Sequence, residues 1–177
     1  MRVNKHIGLD SQCLSYLIDA IEGTGPPQGD LAPEKIALFR IYLYTPGTLV
    51  LSPTVVDECA QIRAIDVRGR HFSYWETLFL RLAVQNYTRV QDRVTQLTPH
   101  HTGVADCQIL AEAEDIGFHT LLTYDSEFLR RLGGLKSSVQ LARPSDYWRQ
   151  LAIPHGTTPD KIPDPTNPLA VQDWWRW

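Results

Sequence analysis

Residues 119–132, HTLLTYDSEFLRRL, contain in one short stretch the features that decide the fold. A predicted strand, His119–Thr123, is followed by Asp125, and a predicted helix over Ser126–Leu132 begins at the next residue. A short apolar strand that runs almost at once into a helix is typical of parallel α/β proteins. The same junction between a strand and a helix recurs twice on the N-terminal side of this stretch.

The two earlier junctions extend the pattern. A predicted strand at His6–Leu9 precedes Asp10 and a helix over Ser11–Glu22, and a strand at Thr48–Leu51 precedes a helix over residues 53–65. The other predicted elements are helices over 33–44 and 102–116, one long helix or a helical pair over 72–97, and a fourth strand over 139–142. Strands that alternate with helices predict an α/β fold with a central parallel sheet.

The composition excludes several classes of protein. The chain has 177 residues, 43% of them hydrophobic, with a net charge of −3 from 17 basic and 20 acidic side chains, which excludes a polycationic nucleic-acid binder. Three widely spaced cysteines without a CxxC pair favour a reducing cytosol over a disulfide framework or a zinc site, so we expect a cytoplasmic protein. No stretch approaches the roughly 18 apolar residues of a membrane span, and no membrane association is expected.

The C-terminal part of the chain differs in composition from the rest. From Pro144 onward it holds six of the 12 prolines and four of the five tryptophans. We therefore predict a domain over 1–143 and an irregular tail over 144–177. The tail closes on Trp174-Trp-Arg-Trp177, which would be an exposed apolar patch in water. Packing on its own domain or a twin subunit is expected, with disorder or partner docking, or stacking on bases, as alternatives.

Four acidic residues are predicted to lie at the ligand-binding edge of the sheet. Asp10 and Asp125 follow strands, and Asp106 lies in the first turns of its helix. Glu58 lies within about 9 Å of its helix start at 1.5 Å per residue. Strand ends and helix starts share one edge in such folds, so we expect the four carboxylates to converge there. Other acids, among them Asp115 on a polar helix face with Glu112, are expected at the surface.

Converging carboxylates repel one another unless protons or cations intervene. No cluster of Lys or Arg stands beside the four acids in the sequence. An all-oxygen ligand set suits Mg²⁺ or Mn²⁺ rather than zinc, so the sequence predicts a divalent-metal site. The alternative is that each acid is a helix cap or a charge at the rim. His100 and His101 could add metal ligation or general-acid chemistry, but a polar turn is the expectation for them.

Four segments resemble the PIN-domain nucleases, in particular the VapC-type toxins of toxin–antitoxin pairs. The most specific is the last, since family members commonly carry an apolar pair, then Thr, any residue, Asp, any residue, an acid and Phe. The resemblance covers about residues 6 to 142 and implies a three-layer α/β/α sandwich with a central parallel sheet. The segments are Gly8-Leu-Asp10-Ser, Leu51-Ser-Pro-Thr-Val-Val-Asp-Glu58, Val104-Ala-Asp106-Cys-Gln-Ile-Leu-Ala-Glu-Ala and Leu121-Leu-Thr-Tyr-Asp125-Ser-Glu-Phe128.

The resemblance implies an endoribonuclease that hydrolyses RNA phosphodiester bonds with Mg²⁺ or Mn²⁺. Thr123 falls on a small hydroxyl residue that positions the site, and Glu127 falls on an accessory acid. The toxin of a two-gene pair is a candidate role, an antitoxin is a candidate partner, and a homodimer is the expected assembly. The metal-binding and catalytic acids of the family fall on the four carboxylates already singled out: Asp10, Glu58, Asp106 and Asp125.

Basic residues cluster locally although the chain is acidic. Residues 60–93 hold six arginines and three acids, a local charge of +3. One continuous helix would align Arg81, Gln85, Arg89 and Arg93 as a stripe, and the three arginines could then contact RNA phosphates. The alternative is a solubilising face opposite the apolar stripe of the same helix.

Two other functions compete with the metal-dependent ribonuclease. A catalytically silent PIN-like RNA-binding or scaffold protein would keep the fold without turnover, but acids at all four positions argue against it. A different α/β metal enzyme, such as a phosphatase, would need an Asp-x-Asp motif after the first strand. The sequence Asp10-Ser-Gln lacks that motif.

Overall fold

The computed structural model describes residues 5–23 and 25–177, and within them five strands form one sheet. The strand order is β3-β2-β1-β4-β5 and every pairing is parallel, so all carboxyl ends lie at one edge. The predicted α/β class with a central parallel sheet is confirmed. The strands are β1 (His6–Leu9), β2 (Thr48–Leu51), β3 (Leu80–Arg81), β4 (Thr120–Leu122) and β5 (Gln140–Ala142).

Helices flank this sheet in the arrangement of a three-layer α/β/α sandwich. Among them α2 packs on α1 and α8, while α6 packs on α3 and α5. None of the helices in the described ranges combines the length and the apolarity that crossing a membrane requires. The helices are α1 (Ser11–Glu22), α2 (Ala32–Tyr44), α3 (Pro53–Ala60), α4 (Ile65–Leu78), α5 (Tyr87–Leu97), α6 (Val104–Ile116), α7 (Ser126–Leu132) and α8 (Pro144–Leu151).

Of the two alternatives predicted for residues 72–97, the structure has the helical pair, with a short strand between the two helices. Helix α4 ends at Leu78, β3 then pairs with β2, and α5 begins only at Tyr87. The side chain of Asn86 accepts a hydrogen bond from the backbone N–H of Arg89, and this N-cap starts α5. The apolar spacing of three and four continues across the interruption, which explains why the pattern alone did not exclude one long helix. The helix predicted over 53–65 is shorter than expected, since α3 ends at Ala60.

The C-terminal tail packs on the same core as the rest of the chain. It begins with α8 and contributes buried aromatic side chains, among them Trp148 and Trp175. The guanidinium of Arg40, on α2, donates hydrogen bonds to the backbone carbonyls of Trp174, Trp175 and Arg176. The closing tryptophans therefore pack on their own chain, as the first alternative expected.

Candidate active site

Asp10 lies directly after β1, at the carboxyl edge of the sheet, and is only 6% exposed. Its Oδ1 accepts a hydrogen bond of 2.6 Å from the backbone N–H of Cys13, which caps α1, and the hydroxyl of Thr123 also donates to its carboxylate. Burial raises the pKa of Asp10 against these hydrogen bonds, and the negative charge of Asp106 adds to the increase. A carboxylate whose pKa is raised by burial and by the charge of a second carboxylate is typical of functional sites.

Asp106 lies in the first turn of α6 and contacts a histidine. The Nε2 atom of His101 is 2.6 Å from Oδ2 of Asp106, and the imidazole ring stacks on Phe128 with a centroid separation of 6.0 Å. The side chain of His101 is 6% exposed and that of Asp106 is 28% exposed. The predicted polar turn fits His100, which is exposed at the end of a turn over 98–100, whereas His101 is buried against Asp106, a candidate metal ligand.

Thr123 connects the ends of β1 and β4. Its Oγ1 accepts a hydrogen bond of 3.0 Å from the backbone N–H of Asp125 while its hydroxyl donates to Asp10. The Oδ1 atom of Asp125 caps α7 by accepting from the backbone N–H groups of Glu127, at 2.7 Å, and Phe128, at 3.0 Å. One oxygen of Asp125 therefore stabilises the start of α7, although the residue lies at the carboxyl edge of the sheet, as expected.

Glu127 points to solvent. Its side chain is 57% exposed and pairs with Arg131 and Arg130 on the same helix, and these two arginines hold its pKa below the usual value. An accessory catalytic role for Glu127 stays a prediction from the resemblance.

Glu58 lies in a neighbouring cavity of about 240 Å³ between α1 and α3, which Gln12 and Tyr16 also line. Within the described residues its Oε2 atom is buried and has no hydrogen-bond partner. A buried carboxylate oxygen without a partner is costly and indicates a water, ion or substrate group that completes it. Glu58 therefore has a carboxylate oxygen that can accept a hydrogen bond or bind an ion at this edge of the sheet.

The donor set fits a divalent ion at two of the four acids. In residues 5–23 and 25–177 no three His, Cys, Asp or Glu side chains are arranged to hold a metal ion together. Asp106 lies near enough to Asp10 for its negative charge to raise the pKa of Asp10, whereas Glu58 and Asp125 do not join these two acids in one ligand set. Mg²⁺ is usually held by one or two protein carboxylates, with waters and substrate phosphates as the remaining ligands. The Asp10–Asp106 pair fits that requirement.

Two acids expected at the surface are buried instead. Glu112 accepts hydrogen bonds from the backbone N–H and the hydroxyl of Thr54, at 3.0 and 2.8 Å, and so joins α6 to α3. Asp115 accepts from the backbone N–H groups of Gln85 and Asn86 and from the guanidinium of Arg89. Both acids connect α6 to preceding segments of the chain, a role that local sequence periodicity does not indicate.

The predicted stripe of basic residues is also wrong as a single helical face. Arg81 lies on β3 and Gln85 in the following loop, so only Arg89 and Arg93 share α5. Arg89 pairs with Asp115, and Arg93 makes a bidentate contact with Glu114, with hydrogen bonds of 2.8 and 2.9 Å. These two arginines hold α5 against α6.

The distances along α6 separate these arginines from the acidic pair. At 1.5 Å per residue, Glu114 lies about 12 Å from Asp106 along the helix axis. Arg81 is different, because it ends β3 at the same edge as Asp10, two strand spacings or about 10 Å across the sheet. Its guanidinium is exposed and forms a surface pair of 2.8 Å with Glu76. RNA contact by Arg81, Arg89 and Arg93 stays a prediction, and the structure favours Arg81 among them.

Comparison with known proteins shows similarity in fold. No protein-family model matches the chain, and no curated protein matches it. Among solved structures, the chain is similar to one in the crystal structure of VapBC2 from Rickettsia felis bound to a DNA fragment from their promoter, with a TM-score of 0.52 and 14% sequence identity. The match covers 77% of this chain and 97% of that chain. At this identity the similarity shows the fold alone.

Proposed function

We propose that the protein is a ribonuclease that hydrolyses RNA phosphodiester bonds with Mg²⁺ or Mn²⁺ held by Asp10 and Asp106. The observation that carries this proposal is the buried carboxylate of Asp10 at the carboxyl edge of the sheet, whose pKa is raised by burial and by the negative charge of Asp106. Open α/β sheets bind their ligands at this edge. The similarity in fold to a chain of a VapBC complex and the resemblance of four sequence segments to PIN-domain nucleases support the same conclusion.

The residues of this chain set up the site before substrate binds. The backbone N–H of Cys13 and the hydroxyl of Thr123 fix the carboxylate of Asp10. The ion, when bound, would polarise a phosphate oxygen and lower the pKa of a water ligand. Glu58 offers its unpartnered Oε2 as an acceptor that orients the attacking water. Attack of water on phosphorus displaces the 3′ oxygen, so the products carry a 5′ phosphate and a 3′ hydroxyl.

A labelled single-stranded RNA with mapped product ends tests this function. The wild-type protein is expected to cut it only in Mg²⁺ or Mn²⁺ and to leave 5′ phosphates. Asp10→Asn and Asp106→Asn should abolish the cleavage, whereas Asp57→Asn, the same chemical change at an exposed position of α3, should not. Cyclic phosphate ends would indicate attack by the RNA 2′ hydroxyl and contradict the proposal. RNA binding without any cleavage would instead favour the catalytically silent alternative.

The toxin role is the finer part of the proposal. It rests on the likeness in fold to a chain of the VapBC2 complex and on the resemblance of the acidic segments, and an antitoxin and a second copy of the chain are the proposed partners. Expression of the wild-type chain should arrest bacterial growth, and co-expression of a small DNA-binding protein from the adjacent gene should relieve the arrest. Growth arrest that persists in Asp10→Asn would contradict a toxin that acts through this site.

A further inference from the structure

We propose that His101 is a positioning residue that fixes the carboxylate of Asp106 for binding of the divalent ion. This inference rests on the proposed function, since it concerns the same acidic pair. The Nε2 atom of His101 lies 2.6 Å from Oδ2 of Asp106. An ionised carboxylate can only accept hydrogen bonds, so Nε2 carries the proton and donates it. The contact holds Oδ2 in place and leaves Oδ1 for the ion.

His101 is itself held rigidly. Its ring is buried and lies almost parallel to that of Phe128, at an interplanar angle of 9°, and Phe128 is fully buried on α7. The thiol of Cys107 lies 3.6 Å from the backbone carbonyl oxygen of His101. Asp106 is more exposed than its partner, and an exposed aspartate without a partner would change rotamers freely. A fixed donor therefore selects one orientation of a side chain that has room to move.

Gly103 leaves the space that this contact needs. A Cβ atom at position 103 would lie 2.5 Å from Oδ2 of Asp106 and 2.5 Å from Nε2 of His101. The φ of Gly103 is −72°, which any residue adopts, so the backbone conformation does not require glycine here. Glycine is required here by the small space beside the hydrogen bond between His101 and Asp106. Because Oδ2 is at the end of a side chain that is more exposed than the fixed ring of His101, an alanine would move the carboxylate of Asp106 away from His101 rather than move the backbone.

In this arrangement His101 does not bind the ion itself but forms a hydrogen bond with Asp106, the residue proposed to bind it. Nε2 of His101 is directed to Asp106, and no set of three ligating side chains that includes this histidine exists in the described ranges. Partners that orient a ligating side chain typically change metal affinity or activity by about 10- to 100-fold when they are removed. His100, the neighbouring histidine, is exposed and provides a matched control.

Titration of the protein with Mn²⁺ alone, followed by the electron paramagnetic resonance signal of the free ion, tests the inference without RNA. His101→Phe keeps a ring against Phe128 and removes the donor, and Gly103→Ala displaces the contact without changing either partner. Both are expected to weaken Mn²⁺ binding by about 10- to 100-fold. His101→Gln restores an N–H donor and should recover most of the affinity, and His100→Gln should bind as the wild type does.

The outcomes separate this inference from the proposed function. Wild-type Mn²⁺ affinity in His101→Phe overturns the inference, and so does an equal loss in His101→Phe and His101→Gln, which would indicate a merely structural role. If His101→Phe does not fold, Gly103→Ala decides in its place. A wild-type protein that binds Mn²⁺ but leaves RNA intact overturns the proposed function and leaves the inference standing. A wild-type protein without affinity for Mn²⁺ overturns the inference, and its RNA cleavage then decides the nuclease function separately.

Discussion

The negative charge of Asp106, in the first turn of α6, adds to burial in raising the pKa of Asp10, at the end of β1. Within residues 5–23 and 25–177 neither carboxylate forms an ion pair with Lys or Arg. Two like charges at a partly buried position are unfavourable in the ion-free protein and become favourable when a divalent cation binds between them. The site is therefore expected to couple metal binding to stability.

Asp10→Asn should separate these two effects. The variant removes a buried charge, while its amide oxygen can still accept from the backbone N–H of Cys13, so the ion-free protein should be at least as stable as the wild type. The wild type should gain about 2.7 kcal/mol at an Mn²⁺ concentration 100 times its dissociation constant, and the variant should gain none. Scanning calorimetry with and without Mn²⁺ measures this. An equal gain in both proteins would place the ion elsewhere.

Asp115 should make stability depend on pH. Burial raises its pKa, but the N–H groups of Asn86 and Gln85 and the guanidinium of Arg89 outweigh burial and hold the pKa below its usual value. A carboxyl group whose pKa is lower in the folded state stabilises the fold above its unfolded pKa, and this stabilisation is lost as the pH falls through the folded value. Asp115→Asn should therefore cost roughly 1–3 kcal/mol at neutral pH, and less below about pH 4.

Urea unfolding at pH 7 and pH 3 measures this difference. Asp92→Asn, at an exposed position on α5, is the control and should match the wild type at both pH values. A destabilisation of Asp115→Asn that is the same at both would show that the charge of Asp115 is not responsible.

We expect Arg81 to contact RNA, and Arg89 and Arg93 to stabilise the packing of α5 on α6. Arg81→Ala should weaken RNA binding and reduce the slope of log affinity against log salt by about 1, because one phosphate contact is lost. Its unfolding free energy should change by less than about 0.5 kcal/mol, since a surface ion pair contributes little. Arg89→Ala should instead destabilise the fold by roughly 1–3 kcal/mol, because it leaves buried Asp115 without its cation. Filter binding at several salt concentrations measures the first effect and urea unfolding the second. Equal salt slopes for Arg81→Ala and the wild type would remove Arg81 from the RNA surface.

The tail should prove necessary for the stability of the whole chain. Trp175 is 2% exposed and its indole N–H donates to the carbonyl of Leu169, so Trp175→Ala should cost about 3–5 kcal/mol. Val171→Ala, at an 84% exposed position of the same tail, should be neutral. Thermal unfolding measures both variants. Wild-type stability in Trp175→Ala would show that the tail is an appendage to a domain over 1–143.

Local sequence patterns were sufficient for the class of fold and for the position of the acidic edge. Short strands rich in apolar residues, two of which end at or near an acid that precedes a helix, produce a signal within a dozen residues, as at Leu9 and Asp10. Strand β3 was missed because two residues are too few to show a period, and because the spacing of apolar residues continued from α4 into α5. A single cap at Asn86 decided against the longer helix.

The contacts that decide the site depend on partners from remote parts of the chain. His101 and Asp115 are buried because Phe128 and Arg89 pack against them, and no periodicity around either residue indicates that partner. The expectation that all four acids converge was based only on their position at one edge of the sheet. That position does not decide which cavity a side chain lines, and Glu58 lines the cavity between α1 and α3. One sequence signal was present, namely a glycine at position 103, between His101 and Asp106.

The most direct test of the acidic pair is a crystal of the protein soaked in manganese and measured at a wavelength where manganese scatters anomalously. The account predicts one strong anomalous peak about 2.1 Å from a carboxylate oxygen of Asp10 and from one of Asp106, with waters as the remaining ligands. The peak should be absent in Asp10→Asn. A wild-type crystal in which no peak forms between these two carboxylates at saturating manganese would contradict the account.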